Sequence, residues 1–474
     1  MKSILLKHRF LILFVILFLL LRLPSFFEPY WYGDEGIYLT LGQGIRNGLT
    51  LYSQIHDNKP PTLYYLAATA QTVFGFRLIL LFWMAATVCS FYLLSKKIIS
   101  PVKTTIATLI FLILTSIPLL EGNIANAEIF MLFPTILAVD YLLSAKKTKD
   151  FILPGLLLGF AFTIKIPVFA EMAGFVLFLG LIQINIFKKP KICFLNLFVF
   201  CFSFLLPIIF WGLYFFTKNI FPEFLKAALL QNFGYLSSWS SGSHTGGGLL
   251  SRGLIWFLFL AFIYFLNFKK YLNSKVAFLL FWFSSAVFGA LLSSRPYPHY
   301  LIQILPPLCL LLFFSFKKLY WLLLLVFLGF VVIKYKFYFY PVFGYYSNFY
   351  SYTIGLKSKT SYQKFFGQNL DLTYQIADYV KKNSDPQDRL FVWGDEPYLY
   401  PLTKLLPASK YTVAYHIVDF KAYQSVIDEL KTHPPKFIVY YAMNQRPYSE
   451  LDNFLRFYSL VNRFGSVQIY RFNE

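Results

Sequence analysis

Apolar residues dominate the stretches 11–21, 78–94, 193–216, 255–266, 276–292 and 319–333, and shorter apolar stretches lie between them. A helix crossing about 30 Å of hydrocarbon needs roughly 20 such residues. With their flanks, these runs predict about eleven membrane helices, at 8–26, 77–95, 103–120, 128–145, 151–166, 168–187, 192–216, 250–268, 276–293, 299–316 and 319–334. The segments 151–166 and 168–187 are short. Lys165 and Pro167 mark an interfacial break between them, and two short spans fit where the bilayer thins or the bundle buries them.

Beyond residue 335 the pattern changes. The stretch 335–360 is rich in Tyr and Phe, as an interfacial belt would be. Residues 389–394 and 436–441 read as buried strands, 423–432 as an amphipathic helix between them, and 459–471 as one or two strands. Strand–helix–strand alternation of this length predicts a small α/β domain. The fold class is therefore an α-helical polytopic membrane protein with a small C-terminal α/β domain. The membrane domain covers 1–334, including interfacial helices within 34–74, and the α/β domain covers 335–474. The Ser/Gly-rich patch 237–248 reads as a mobile outer loop.

Composition agrees, with 57% hydrophobic and 14% charged residues. The net charge of +21 raises the question of nucleic acid. Its distribution excludes that partner, because the basic residues form short clusters between apolar runs. Such clusters orient a membrane protein, since Lys and Arg stay on the cytoplasmic side. With the N-terminus inside, the inner loops hold Lys96, Lys97 and Lys103, then Lys146, Lys147 and Lys149, and further on Lys188, Lys189 and Lys191. The last two hold Lys269, Lys270 and Lys275, and Lys317 and Lys318. The outer side receives Glu28, Asp34, Glu35, Asp57, Glu121, Glu128, Glu171 and Glu223, leaving Asp140 and Asp150 inside. This predicts a multi-pass protein of the plasma (inner) membrane, with a cytoplasmic N-terminus and an extracytoplasmic C-terminal domain. Lys2, Lys7 and Arg9 before the first apolar run resemble a signal peptide, but no small-residue cleavage site follows, so an uncleaved first helix is expected. Cys89, Cys193, Cys201 and Cys309 show no disulfide or zinc spacing.

Chemistry concentrates after the first span. Asp34 sits where a helix N-cap belongs, Ile37, Leu41 and Ile45 form one stripe, and Gly48 can close the helix. A short amphipathic helix at the membrane interface follows. Pro60 and Pro61 can start a second helix, which places Lys59 at its end. A polyprenyl-phosphate sugar keeps its tail in lipid and its phosphate at headgroup level. A carboxylate there can act as general base on an acceptor hydroxyl, and cations stabilise the leaving phosphate. Lys59 is one candidate cation. Arg295, in the outer segment that also holds Tyr297, His299 and Tyr300, is another, because a guanidinium takes phosphate as a bidentate fork.

The Asp34-Glu35 pair, the Lys59-Pro60-Pro61 turn, the Ala125-Asn126-Ala127-Glu128 stretch, Lys165 and the run from Arg295 through His299 and Tyr300 to Pro306 resemble the GT-C fold glycosyltransferases. The nearest group is the one containing protein O-mannosyltransferases and bacterial lipid A aminoarabinose transferases. The resemblance covers about residues 10–320. It lies in the order of the motifs and their side of the membrane more than in any one of them. It implies an inverting transfer of a monosaccharide from a polyprenyl-phosphate donor to a lipid, glycan or protein acceptor, with Asp34 as the catalytic carboxylate and Lys59 as the donor-phosphate lysine. The β-trefoil insert of the eukaryotic protein mannosyltransferases is missing, which puts protein acceptors in question. Nothing identifies an aminoarabinose site either.

Each residue has a plainer reading. Asp34 can be a cap alone. Glu35 is a second catalytic candidate or simply favours the helix N-terminus. Lys59 can snorkel. Arg295 and His299 are donor-phosphate candidates or ordinary interfacial residues. Tyr38, Asn126, Glu128, Lys165, Tyr297 and Tyr300 are candidates for acceptor or substrate binding. Glu128 with Asn126 is also the candidate for a divalent ion, although no Asp-x-Asp pair stands in the first outer loop and no other cofactor is implied. Asp395-Glu396 reads as a strand-to-helix cap. Rival functions are a polyprenyl-lipid transporter or flippase, a membrane-anchored scaffold, and an oligosaccharide ligase or polymerase using diphosphate-linked donors.

Overall fold

The computed structural model describes residues 2–183, 190–232, 248–293, 295–314, 318–442 and 446–473. The patch 237–247 and the lysines at 188, 189 and 317 lie outside these. The first helices are α1 (Lys2–Arg22), α2 (Gly33–Arg46), α3 (Thr62–Ala70), α4 (Val73–Ile98), α5 (Pro101–Leu114), α6 (Ala127–Ser144), α7 (Ile152–Phe162) and α8 (Val168–Phe178). The later apolar segments form the helices Pro190–Thr217, Leu249–Phe268, Ser274–Leu291, Leu305–Phe313 and Lys318–Lys334. A helix therefore stands at each apolar segment of the sequence. Among the described residues, five helices are long and apolar enough to cross a membrane: Val73–Ile98, Ala127–Ser144, Pro190–Thr217, Leu249–Phe268 and Ser274–Leu291. The chain breaks between α7 and α8, around Lys165 and Pro167.

The chain divides into two compact units. The first comprises Met1–Leu23, Leu80–Phe216 and Leu229–Val342; the second comprises Pro24–Ile79, Thr217–Ala228 and Phe343–Glu474.

The first unit is helical and aromatic inside. Phe91 stacks on Phe111 at 4.3 Å and Phe175 on Phe278 at 5.5 Å. Polar links tie its helices together. Trp83 Nε1 donates to Phe130 O at 2.9 Å, and Arg22 Nη2 donates to Thr115 O and Gly122 O at 2.7 and 3.0 Å. The outward faces are apolar as well: Phe194 is 73% exposed and Phe210 63% exposed. Apolar surface of that extent is unfavourable in water and suits lipid.

The second unit joins α2 and α3 to a five-stranded sheet. Its strands are β1 (Arg389–Trp393), β2 (Leu406–Pro407), β3 (Phe437–Tyr441), β4 (Tyr458–Phe464) and β5 (Val467–Phe472), in the order β2-β1-β3-β5-β4. β1 pairs parallel with β2 and β3, and β5 pairs antiparallel with β3 and β4. Both faces of β1 are covered, which is why it reads as a continuous apolar run. Leu390 and Val392 pack with Ile376 and Val380, while Phe391 and Trp393 pack with Val426 and Leu430.

α2 is buried from Glu35 to Gly44, so it is covered all round and does not lie with one stripe down. One cover is α3, allowed so close by Gly42, where a Cβ would stand 2.7 Å from the backbone at Ala67. The other is the 397–405 segment: Thr40 Oγ1 donates to Pro397 O at 2.9 Å and Gln43 Nε2 to Leu405 O at 3.1 Å.

Candidate functional site

In the second unit α2 starts at Gly33 with Tyr32 in the cap position, and no side chain caps it. The expectation that Asp34 is the N-cap is therefore corrected. Asp34 lies inside the first turn, and its side chain meets two other partners. Tyr38, one turn on, donates its hydroxyl to Asp34 Oδ2 at 3.0 Å, the i, i+4 geometry of a helix face. Lys59 Nζ lies 3.5 Å from the same oxygen. The Asp34 side chain is 31% exposed and that of Lys59 19%.

Glu35 points elsewhere. Arg77, near the start of α4, holds both its oxygens, with Nε at 3.0 Å and Nη2 at 2.6 Å. Arg77 Nη1 also reaches Glu28 Oε2 at 2.7 Å and Ser25 O at 2.8 Å. Glu28 accepts from Trp31 Nε1 at 2.7 Å and from the Tyr345 hydroxyl. Arg77, Glu28 and Glu35 are all buried.

Lys59 has a second acidic neighbour. Its Nζ is 3.6 Å from Asp57 Oδ2 and 5.0 Å from the centre of the Tyr38 ring. The Tyr52 hydroxyl donates to Lys59 O at 2.8 Å, fixing the turn before Pro60. Asp57 is 1% exposed; it accepts from Tyr64 Oη and from the Asn58 amide, each at 2.7 Å, and faces His416 Nε2 at 3.6 Å. Burial alone would raise the Asp57 carboxyl, but Lys59, His416 and the Tyr64 hydroxyl outweigh it, so it titrates below the usual carboxylate range. Burial holds His416 below its usual value, against the pull of Asp57. Burial, reinforced by Asp34 and Asp57, raises Tyr38 well above the usual phenol value, so its hydroxyl stays a donor.

The first unit carries its own charged cluster. Glu128, in the first turn of α6, pairs with Lys165 and lies 3.4 Å from His299 Nε2. His299 Nδ1 meets Glu121 Oε2, which Asn126 Nδ2 also approaches at 3.3 Å. Lys165 Nζ sits 4.5 Å from the centre of the Tyr300 ring, and Tyr297 stacks on His299 at 5.6 Å. Asn126, Glu128, Lys165, His299, Tyr297 and Tyr300 are thus gathered in this unit, while Asp34, Glu35, Tyr38 and Lys59 are gathered in the other. Arg295 is half-buried beside Ser293, whose Oγ accepts from its amide at 3.5 Å. Glu121 adopts φ +59°, a left-handed backbone unusual for a residue with a Cβ. A non-glycine residue held there commonly marks a functional constraint. Among the described residues, no group of three or more His, Cys, Asp or Glu side chains is placed to hold a metal ion.

Asp395 and Glu396 are not the cap of the helix that follows them. Asp395 Oδ1 accepts from the Tyr415 amide at 3.0 Å, inside the helix Ala414–Asp419, and Arg446 Nη1 lies 2.9 Å from Oδ2. Glu396 accepts from Tyr398.

Sequence reasoning missed five participants. Glu28, Asp57 and Glu121 counted only as outer-face charges. Arg77 stood at the edge of an apolar run, where an ionisable group is a signal in itself. His416 carries no local signal, because its partner lies in a distant part of the chain.

No protein-family model matches the sequence, and no curated protein matches it. Solved structures do. The structure of ArnT from Cupriavidus metallidurans bound to undecaprenyl phosphate aligns over 98% of this chain and 98% of its own, with a TM-score of 0.58 at 12% identity. The apo form of that protein aligns over the same shares, with a TM-score of 0.56 at 11% identity. The apo oligosaccharyltransferase of Archaeoglobus fulgidus aligns over 91% of this chain and 69% of its own, with a TM-score of 0.43 at 13% identity. Over 98% of its length, the chain shares the fold of ArnT.

Proposed function

We propose that this protein is an inverting glycosyltransferase that takes a monosaccharide from a polyprenyl-phosphate donor at the outer membrane face. The observation that carries the reading is the Asp34–Lys59 pair, a partly exposed carboxylate 3.5 Å from an ammonium at the first turn of a helix. The shared fold with ArnT, which was crystallised with undecaprenyl phosphate, supports the donor class.

Asp34 Oδ accepts the proton of the acceptor hydroxyl as its oxygen bonds to the anomeric carbon. The bond from that carbon to the phosphate oxygen breaks, and its electron pair leaves on the polyprenyl phosphate. Lys59 stabilises the growing negative charge. A helix N-terminus favours anions, so α2 assists at the same place. Tyr38 holds the Asp34 carboxylate in one orientation, and Glu35, gripped by Arg77, fixes the turn that carries it. One displacement inverts the anomeric centre.

The test is incubation of the purified, reconstituted protein with a panel of polyprenyl-phosphate monosaccharides, and separately with diphosphate-linked oligosaccharides, followed by mass spectrometry. Consumption of one monophosphate donor is expected. Consumption of diphosphate donors alone would replace this reading with that of a ligase or polymerase.

A further inference from the structure

Two tyrosines hold the Lys59 backbone, one at each peptide group. The Tyr52 hydroxyl donates to Lys59 O at 2.8 Å, and the Lys59 amide donates to Tyr64 Oη at 3.1 Å. The Tyr64 hydroxyl in turn donates to Asp57 Oδ2 at 2.7 Å. Tyr64 is fully buried, and burial, reinforced by Asp57, raises it well above the usual phenol value. It therefore keeps the single proton that this pair of bonds requires. An ionised carboxylate only accepts, so that proton goes to Asp57, and an oxygen lone pair takes the Lys59 amide. Asp57 Oδ2 is also the oxygen nearest the Lys59 ammonium. Nζ stands 3.6 Å from it, beyond hydrogen-bond reach, and 3.5 Å from Asp34 Oδ2. The other Asp57 oxygen, Oδ1, accepts the Asn58 amide at 2.7 Å and faces His416. Oδ2 is thus aimed at the lysine, and the short bond it makes is to the phenol and not to the ammonium.

We infer that Tyr64 is a positioning residue: its hydroxyl occupies the Asp57 oxygen that would otherwise capture the Lys59 ammonium, and so leaves that ammonium shared with Asp34. Without the hydroxyl, Oδ2 loses its donor while the Asn58 amide still holds Oδ1. The ammonium then closes from 3.6 Å to hydrogen-bond range of Asp57 and leaves Asp34. The Lys59 amide loses its acceptor in the same step, which frees the backbone to follow. The consequence for the donor phosphate rests on the role proposed for Lys59; the division of the ammonium between the two carboxylates does not.

The experiment is a double-mutant cycle of Tyr64→Phe and Asp57→Asn, on the full-length protein in detergent, read in two arms. The phenyl ring keeps the edge-on packing against Tyr38 at 6.1 Å, so Tyr64→Phe is expected to fold. In the first arm, lysines are reductively ¹³C-methylated, which keeps their charge, and the Lys59 signal is assigned by its loss in Lys59→Arg. Tyr64→Phe should move that signal when residue 57 is Asp and leave it nearly in place when Asp57→Asn has removed the competing charge. A Lys59 signal unmoved in Tyr64→Phe overturns the inference, whatever the protein's function. So does an equal movement on both backgrounds, the mark of a merely structural hydroxyl. In the second arm, undecaprenyl phosphate is titrated into the same four proteins and into Lys59→Ala. Tyr64→Phe should weaken binding about three- to tenfold, the scale of one lost polar contact, and by less than about twofold on the Asp57→Asn background. Wild-type affinity in Tyr64→Phe together with a loss in Lys59→Ala overturns the inference alone. Wild-type affinity in Lys59→Ala overturns the phosphate role of Lys59 and leaves the first arm to decide the part of Tyr64.

Discussion

Replacing Arg77 with methionine leaves two carboxylates buried without their cation. Arg77 makes a bidentate contact with Glu35, a contact with Glu28 and a hydrogen bond to Ser25 O, and none of the three charged side chains is more than 2% exposed. Breaking a buried pair by removing one partner costs about 3–5 kcal/mol, which is roughly a 10²- to 4 × 10³-fold loss in the folded-to-unfolded ratio of this unit. Lysine keeps the charge but lacks the fork. A single ammonium cannot serve both Glu35 oxygens and Glu28 together, so Arg77→Lys should cost about 1.5–3 kcal/mol. The triple variant Arg77→Met, Glu28→Gln, Glu35→Gln removes the stranded charge and should regain most of the loss. The assay is thermal unfolding of the purified protein, followed by hydrogen exchange in residues 28–46. A wild-type melting temperature in Arg77→Met would refute the reasoning. So would a triple variant no more stable than the single one.

Protonation of His416 should control acid stability near neutrality. Its folded value lies below the unfolded one, so the unfolded chain binds more protons as pH falls through about 6.5. Stability present above that pH is lost below it, and wild type should melt progressively earlier from pH 7 to 5 while His416→Gln melts at a more even temperature. Equal slopes would show that Asp57, Lys59, Asp34, His56 and Asp419 leave this ring no part in the titration. Gly42→Ala should destabilise the packing of α2 on α3 by about 1–3 kcal/mol despite alanine's better helix propensity, because the new Cβ meets backbone that has to shift; chemical denaturation reads the change. A reporter fused after Glu474 should be active outside the cell and silent within, as the lysine clusters imply, and the opposite result would reverse the topology.

The membrane elements were legible because hydrophobic runs of this length have few alternatives, and the Lys165–Pro167 break was readable from two residues that a helix in lipid resists. The positions of α2 and α3 followed from Gly48 and from Pro60-Pro61. The sheet strands 389–394 and 436–441 were readable as continuous apolar runs. What surrounds α2 was not. Its periodicity promised one buried stripe, yet Pro397 and Leu405 cover the remainder, and nothing local signals a cover supplied from the C-terminal region. The same limit hid His416 behind Asp57. Asp34 looked like a cap because acidic residues are common there; the chain placed Tyr32 at the cap and turned Asp34 to Tyr38 and Lys59. Asp395 looked like the cap of the next helix and proved to hold Tyr415, a later one. In each case the residue type announced an acceptor, and only the tertiary fold chose its donor.

The central claim is that Asp34 removes the acceptor's proton in sugar transfer from a polyprenyl monophosphate. The most direct measurement is single-turnover release of polyprenyl phosphate by purified wild type and Asp34→Asn in liposomes, using the donor that wild type consumes. Asparagine keeps the size of the side chain but is not a base. Loss of general-base catalysis alone lowers rates about 10²- to 10⁴-fold. The account predicts a fall of at least that scale in Asp34→Asn, with donor binding and melting temperature near those of wild type. Release at the wild-type rate by Asp34→Asn would contradict it.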